Sequence, residues 1–169
     1  VSKSLATELN KMFFEVIIAN GFEKSALKIL KSKKNIRLID ASNFLLDKTP
    51  KFTSINDAFL MQSKDDKKIS KNNFRIVSKK RPNKSQFENL IFAFNICRFV
   101  KSNAIVLASG KSTIGIGSGQ PSRLDSCQIA IDKMNKFINT NNEIVAASDA
   151  FFPFIDGIEK LIQSGISAV

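Results

Sequence analysis

Apolar and polar positions along this chain switch between helical and strand-like spacing, and each switch marks an element. Leu5, Leu9 and Met12 recur at helical spacing and predict a short helix over residues 4–11. The run F-F-E-V-I-I-A over 13–19 predicts a strand, closed by the turn pair Asn20-Gly21. Residues 23–31 predict a helix that buries Ala26, Leu27 and Leu30 and shows lysines outward, and 36–39 predict a second strand. That β-α-β order implies a crossover and parallel pairing. Pro50 breaks the pattern over 49–52, 58–62 is a brief apolar segment, and 63–73 read as a solvated, lysine-rich loop. Residues 74–78 read as extended and lead to Pro82, the best internal boundary. It separates residues 1–84 from residues 85–169.

Beyond the boundary, Ser85 followed by Glu88 has the spacing of a capping box. The helix it opens carries Phe87, Leu90, Ile91, Phe94 and Cys97 as one stripe, read as core, and ends near 101–103. Two strands flank Gly110-Lys111-Ser112, and Ser122 caps a further helix with the stripe Cys127, Ala130, Ile131, Met134, Phe137 and Ile138. Residues 139–142 form a loop and 144–147 a strand. An aromatic connection spans 148–156, a helix spans 157–163 with Gly165 at its C-cap, and a last strand begins at 166. The order α-β-β-α-β-α-β is that of a layered α/β fold. The chain stops inside a strand, as a fragment would.

Composition narrows the chemistry. With 169 residues, 43% apolar and 24% charged, the chain is sized for a globular domain with a substantial core. No apolar run approaches the roughly 20 residues of a membrane span. The first ten residues lack a signal peptide's apolar segment, and Cys97 and Cys127 sit on apolar stripes, so two buried thiols in a reducing cytosol are expected. There is no histidine. A zinc site is therefore not expected, and a general base must be a lysine, a carboxylate, or a group from outside this chain. The net charge of +11 lies entirely in residues 1–84, in clusters such as Lys28, Lys31, Lys33, Lys34 and Lys64, Lys67, Lys68, Lys71. A basic nucleic-acid-binding α/β module is the alternative reading of that excess. The clusters lack interleaved Tyr or Trp, so they read as a solvated surface without a nucleic-acid partner.

The densest pattern is residues 101–125, K-S-N-A-I-V-L-A-S-G-K-S-T-I-G-I-G-S-G-Q-P-S-R-L-D, with four of the seven glycines between 110 and 119. Glycine inside a strand marks a bulge or a close approach of ligand or backbone. Gly110-Lys111-Ser112-Thr113 imitates the end of a phosphate loop, but Ile105 stands where its first glycine belongs and a strand follows instead of a helix. Gly115, Gly117 and Gly119 do not make the dinucleotide fingerprint, because Gln120 occupies the position its spacing needs. S-D-A-F-F-P-F-I-D over 148–156 follows a short strand, and such a loop at a strand's carboxyl end is where α/β sheets bind ligands. At least one of its three phenylalanines should plug the core, and Asp156 is placed to cap the following helix.

K-S-N-A-I, G-I-G-S-G-Q-P-S-R-L-D-S and S-D-A-F-F-P-F, in that order, resemble the AICAR transformylase domain of the bifunctional purine-biosynthesis family, whose members also carry an inosine monophosphate cyclohydrolase domain. V-S-K-K-R-P, E-V-I-I-A and K-K-N-I-R fit the same family, so the resemblance spans nearly the whole chain. It implies an α/β fold of layered α/β/α, cytidine-deaminase-like units, residues 1–84 holding part of the first and 85–169 the second. It also implies a cytoplasmic homodimer with sites at its interface. The implied reaction is formyl transfer from 10-formyltetrahydrofolate to the 5-amino group of the nucleotide AICAR, without a metal. By the resemblance Asn103 hydrogen-bonds the AICAR base, Arg123 holds AICAR and Phe151 packs on its base, while Leu124 and Asp156 contact the folate. The family's Lys-His catalytic pair would lie before Val1, and further binding residues after Val169, so this stretch alone is expected to be inactive. Ile155 stands where an arginine is usual, and Ala58-Phe59 where Gly-Gly is common.

Overall fold

The computed structural model describes residues 1–44, 49–67, 69–137 and 143–169. They form two compact units, Val1–Asp66 and Lys67–Val169.

In the first unit, helix α1 (Lys3–Asn10) and helix α2 (Lys24–Leu30) accompany strands β1 (Val16–Ala19) and β2 (Arg37–Asp40). The two strands pair in parallel, as the β-α-β order predicts. Ala6, Ala26 and Leu30 form a small buried core, with Leu9, Ile17 and Leu38 packed on it. The buried face of α1 is thus turned towards Ala6, and Leu5 and Met12, which share a helical spacing with Leu9, are exposed. An alanine lets the two helices approach where a leucine would hold them apart.

Residues 49–62 depart from the prediction. Strands β3 (Lys51–Ile55) and β4 (Ala58–Gln62) form an antiparallel hairpin around Asn56, whose φ is +49°. Pro50 lies just outside β3, where it removes no ladder hydrogen bond. Asn56-Asp57 is the turn signal that reading only for Pro and Gly passes over. Every position of both strands is exposed.

The second unit is a three-layer α/β/α arrangement. Strands β5 (Ile105–Ser109), β6 (Ser112–Gly117), β7 (Ile144–Ser148) and β8 (Ile166–Ala168) lie in the order β6-β5-β7-β8. β5 is antiparallel to both neighbours, and β7 runs parallel to β8. Helix α3 (Lys84–Cys97) covers one face through Ala93 and Cys97 against Ala104, Val106, Ala108, Val145 and Ala147. Helices α4 (Arg123–Phe137) and α5 (Asp156–Gln163) cover the other through Cys127, Ala130, Ile131, Met134 and Leu161 against Ile105, Leu107 and Ala146. Both faces of the sheet are covered, so β5 is buried at every position and carries no alternation. The α/β class is as expected. Among the described residues no helix is long and apolar enough to cross a membrane.

Three local expectations change. The cap of α3 is Asn83, not Ser85: Asn83 Oδ1 accepts from the Gln86 N–H at 2.8 Å, and Gln86 Oε1 accepts from the Asn83 N–H at 2.9 Å. Asparagine caps as well as serine does, and this reciprocal box starts two residues earlier. Glu88 instead pairs with Lys111 Nζ at 3.1 Å, which holds its carboxyl below the ordinary value. Second, the most buried positions of α3 are Gln86, Asn89, Ala93 and Cys97: of the predicted stripe, Cys97 is buried and Leu90 packs on the same core, whereas Phe94 is exposed. Phe87 and Phe94 meet Phe74 edge-to-face, with centroids 6.1 and 5.4 Å apart. Burying the two amides is tolerable because both are bonded: Gln86 Nε2 donates to Ser167 Oγ, and Asn89 Oδ1 accepts from the Lys111 N–H. Third, residues 74–78 join no strand, and one 3₁₀ turn, Lys71–Asn73, precedes them. Lys68, Ile138 and the loop expected over 139–142 lie outside the described residues.

Candidate functional site

The β5–β6 connection is a two-residue turn with both residues in the left-handed region, Gly110 at φ +57° and Lys111 at φ +58°. That is the backbone of a tight hairpin, which disposes of the phosphate-loop imitation on structural grounds. The glycines of β6 serve another purpose. A Cβ on Gly115 would stand 2.1 Å from the Ala130 carbonyl oxygen, and one on Gly117 would stand 1.8 Å from that of Ser126. The close approach marked by these glycines is between strand and helix backbones, not between strand and ligand.

This packing brings the start of α4 beside the loop that enters β5. Ser126 Oγ, fully buried, donates to the Asn103 carbonyl at 2.7 Å. The Asn103 N–H donates to the Gln120 carbonyl at 3.3 Å, and the Gly119 N–H to the Lys101 carbonyl at 2.9 Å. The Asn103 side chain is equally committed. Its Nδ2 donates to the carbonyls of Gln120 (3.0 Å) and Pro121 (2.9 Å), and its Oδ1 accepts from Arg123 Nη2 at 2.9 Å. An amide offers two donors and two acceptor lone pairs. One lone pair on Oδ1 is what remains for a ligand.

Arg123, the first residue of α4, is about as constrained. Its Nη1 donates to Ser148 Oγ at 2.7 Å and to Asp149 Oδ1 at 2.6 Å. Its guanidinium carbon lies 5.9 Å from the Phe152 ring centroid. The Arg123 and Asp149 side chains are 11% and 15% exposed, so their ion pair is largely shielded from solvent. Burial pushes the Asp149 carboxyl up. Hydrogen bonds from Ser102, Arg123 and the Ala104 N–H, with the Arg123 charge, outweigh it and hold the group below its ordinary value.

The loop after β7 closes the site. Phe152 packs on the core beneath α4 and α5, so one of the three phenylalanines is a core plug as expected. Phe151 and Phe154 are 79% and 74% exposed. Asp156 is the first residue of α5 rather than its cap: the cap position is Ile155, and Asp156 Oδ1 accepts from the neighbouring Gly157 N–H at 2.7 Å. A cavity of about 390 Å³ lies between this loop and the start of α4. Asn103, Arg123, Leu124, Phe151 and Asp156 all line it. It is bounded by the first residues of two helices, α4 and α5, and the Gly157 N–H at the start of α5 is already taken by Asp156 Oδ1. Among the described residues lining it, Arg123 and Asp156 carry the charges, and the remainder are apolar or neutral.

Residues 1–133 match the model of the AICARFT/IMPCHase bienzyme family. The chain belongs to that family. Among curated relatives it is 37% identical over 169 residues to the bifunctional purine biosynthesis protein PurH of Staphylococcus saprophyticus, covering all of this chain and 34% of that protein. It is 39% identical over 173 residues to the protein of the same name from Acetivibrio thermocellus, covering 33% of it. For the one from Caldicellulosiruptor saccharolyticus the figures are 40% over 172 residues and 32%. The chain spans about a third of the length of these relatives.

For this family member, reading the motifs one residue at a time overlooked Asp149, Ser148 and Ser102. All three lie within the quoted motifs, but their importance depends on partners 20 or more positions away. Arg123 pairs with Asp149 across 26 positions and Ser102 with Asp149 across 47. A buried arginine needs a carboxylate, and Asp149 is the acid that the loop supplies next to Ser148.

Proposed function

We propose that this chain supplies substrate-binding residues to a phosphoribosylaminoimidazolecarboxamide formyltransferase of de novo purine biosynthesis. That enzyme moves the formyl group of 10-formyltetrahydrofolate to the 5-amino group of AICAR. The observation that carries this reading is the convergence of Asn103, Arg123, Leu124, Phe151 and Asp156, widely separated in sequence, on one cavity. On this reading Asn103 Oδ1 accepts an N–H of the AICAR base, Arg123 donates its uncommitted N–H groups to AICAR, and the exposed Phe151 ring stacks on the base. Leu124 and Asp156 face the folate, with Asp156 accepting from the amidine-like edge of the pterin. The longer protein is read as a cytoplasmic homodimer that also carries an inosine monophosphate cyclohydrolase activity, the second activity in the description of its family, and the transfer needs no metal.

The 5-amino group of AICAR is a weak nucleophile, because its lone pair is delocalised into the ring and carboxamide. Transfer therefore requires removal of an amine proton and stabilisation of charge on the formyl oxygen. Arg123 is tied up with Asp149, and Asp156 is assigned to the folate. The chain's own contribution is thus orientation: it holds amine and formyl carbon in contact, which by itself is worth orders of magnitude in rate. Proton transfer falls to the Lys-His pair expected elsewhere in the family's polypeptide.

The test is formyl transfer, followed as AICAR-dependent release of tetrahydrofolate by the full-length protein. Arg123→Ala and Asn103→Ala should each lower kcat/KM by about 100-fold, the scale of a misplaced substrate. Activity near wild type in both variants would overturn the assignment.

A further inference from the structure

We propose that Asp149 is the positioning residue of this site, a single carboxylate that sets both Arg123 and the Asn103 loop for the nucleotide. The inference rests on the formyltransferase reading for the identity of the ligand, and on this chain's geometry for everything else. Asp149 follows directly on β7 and reaches two other segments. Its Oδ1 accepts from Arg123 Nη1 at 2.6 Å, at the start of α4, and from the Ala104 N–H at 3.1 Å, at the entry to β5. Its Oδ2 accepts from Ser102 Oγ. Its own N–H donates to the Ala104 carbonyl at 3.3 Å. The carboxylate therefore clamps residues 102–104 on one side and Arg123 on the other, and Asn103 lies between the two clamps, bonded to Arg123 through Oδ1.

Two consequences bear on binding. The Arg123 charge is balanced inside the protein, so what the ligand meets is a set of aimed N–H donors rather than a free cation. Arg123 Nη2 in turn holds Asn103 Oδ1, so an error in the guanidinium plane passes directly to the acceptor that faces the base. Asp149 itself is not among the residues lining the cavity, so it acts through Arg123 and Asn103 and not by contact.

Asp149→Asn in the full-length protein keeps the shape and removes the charge. Its KM for AICAR should rise about tenfold while the KM for 10-formyltetrahydrofolate stays within about twofold, since Leu124 and Asp156 are outside the clamp. In an Arg123→Gln background the same substitution should raise the AICAR KM by no more than about two- to threefold, the part carried through Ser102 and Ala104, because the larger part passes through Arg123. An equal rise in both KM values with a lowered unfolding midpoint would make Asp149 merely structural, and a full tenfold effect persisting without Arg123 would break the proposed route. Either result overturns the proposal. If Asp149→Asn does not fold, Ser102→Ala, at an exposed hydroxyl, should still raise the AICAR KM about two- to threefold with the folate KM unchanged, and no change would overturn it. Normal transfer by the wild type with an unaffected Asp149→Asn overturns this inference alone. A full-length wild type that forms no tetrahydrofolate from these substrates overturns the formyltransferase reading, and this inference with it.

Discussion

Gly117 lies directly against the main chain of Ser126: a methyl group on the glycine would stand 1.8 Å from the serine carbonyl oxygen. The contact is backbone to backbone, so no rotamer change can relieve it. Helix α4 must move if the glycine is replaced. Gly117→Ala is therefore expected to destabilise the second unit by about 3 kcal/mol, at the upper end of overpacking costs. Gly110 makes a useful contrast. A Cβ there meets nothing within 4 Å, and the cost of Gly110→Ala is only the left-handed backbone at φ +57°, about 1 kcal/mol. Urea denaturation of the two variants should rank them in that order. On the proposed function the Gly117 variant should also lose AICAR affinity, since Ser126 holds the Asn103 carbonyl.

How much of this was legible in the sequence depended on the range of the interaction. Elements set by local periodicity were readable: β5 as an apolar run, α4 from Cys127, Ala130, Ile131 and Met134, and the parallel pair β1–β2 from its β-α-β order. Features decided by a distant partner were not. The core face of α3 falls on Gln86 and Asn89 because Ser167 and the Lys111 N–H are there to satisfy them, and hydrophobicity alone pointed to Phe87 and Phe94. The hairpin β3–β4 is masked in the sequence by Pro50, which interrupts the apolar pattern although it lies just outside β3. The five predicted site residues among those lining the cavity follow from motif resemblance. Their linkage through Asp149 is a property of three segments meeting in space, and no stretch of chain encodes it by itself.

The two cysteines offer a pH-dependent probe of the layers. Cys97 lies under α3, its Sγ donating to the carbonyls of Ala104 and Ala147, while Cys127 lies under α4 on the opposite face of the sheet. Burial pushes both thiols from an ordinary 9.0 up to about 11, reinforced at Cys97 by the nearby Asp149 charge. The thiolate is the reactive species, so at pH 8 a shift of two units lowers its fraction about 100-fold, before any loss of access is counted. Native protein should react with a disulfide reagent at least about 100-fold more slowly than protein unfolded in urea, which should titrate two thiols. The native rate should still be rising with pH at 10, where an ordinary thiol has levelled off. Fast reaction at pH 8 would mean that one face of the sheet is open.

Asn103 provides the sharpest test of the hydrogen-bond assignment. Its amide is oriented by its neighbours: two carbonyls, Gln120 and Pro121, require donors, and the Arg123 guanidinium requires an acceptor. Asn103→Ala removes these bonds but leaves the Pro121 carbonyl, on the exposed side, accessible to water, so the loss should be about 1–2 kcal/mol. Asn103→Asp keeps the acceptor for Arg123 and turns the second oxygen towards both carbonyls. Three electron-rich oxygens then converge where two N–H groups stood, and the variant should be less stable than the alanine variant despite gaining an ion-pair partner for Arg123. Urea denaturation at pH 7 should rank the proteins wild type, Asn103→Ala, Asn103→Asp in falling order. The gap between the two variants should narrow as the pH falls and the new carboxylate gains a proton that it can donate to one of the carbonyls. An Asn103→Asp protein as stable as wild type at pH 7 would require the amide to be turned the other way, with its nitrogen towards Arg123.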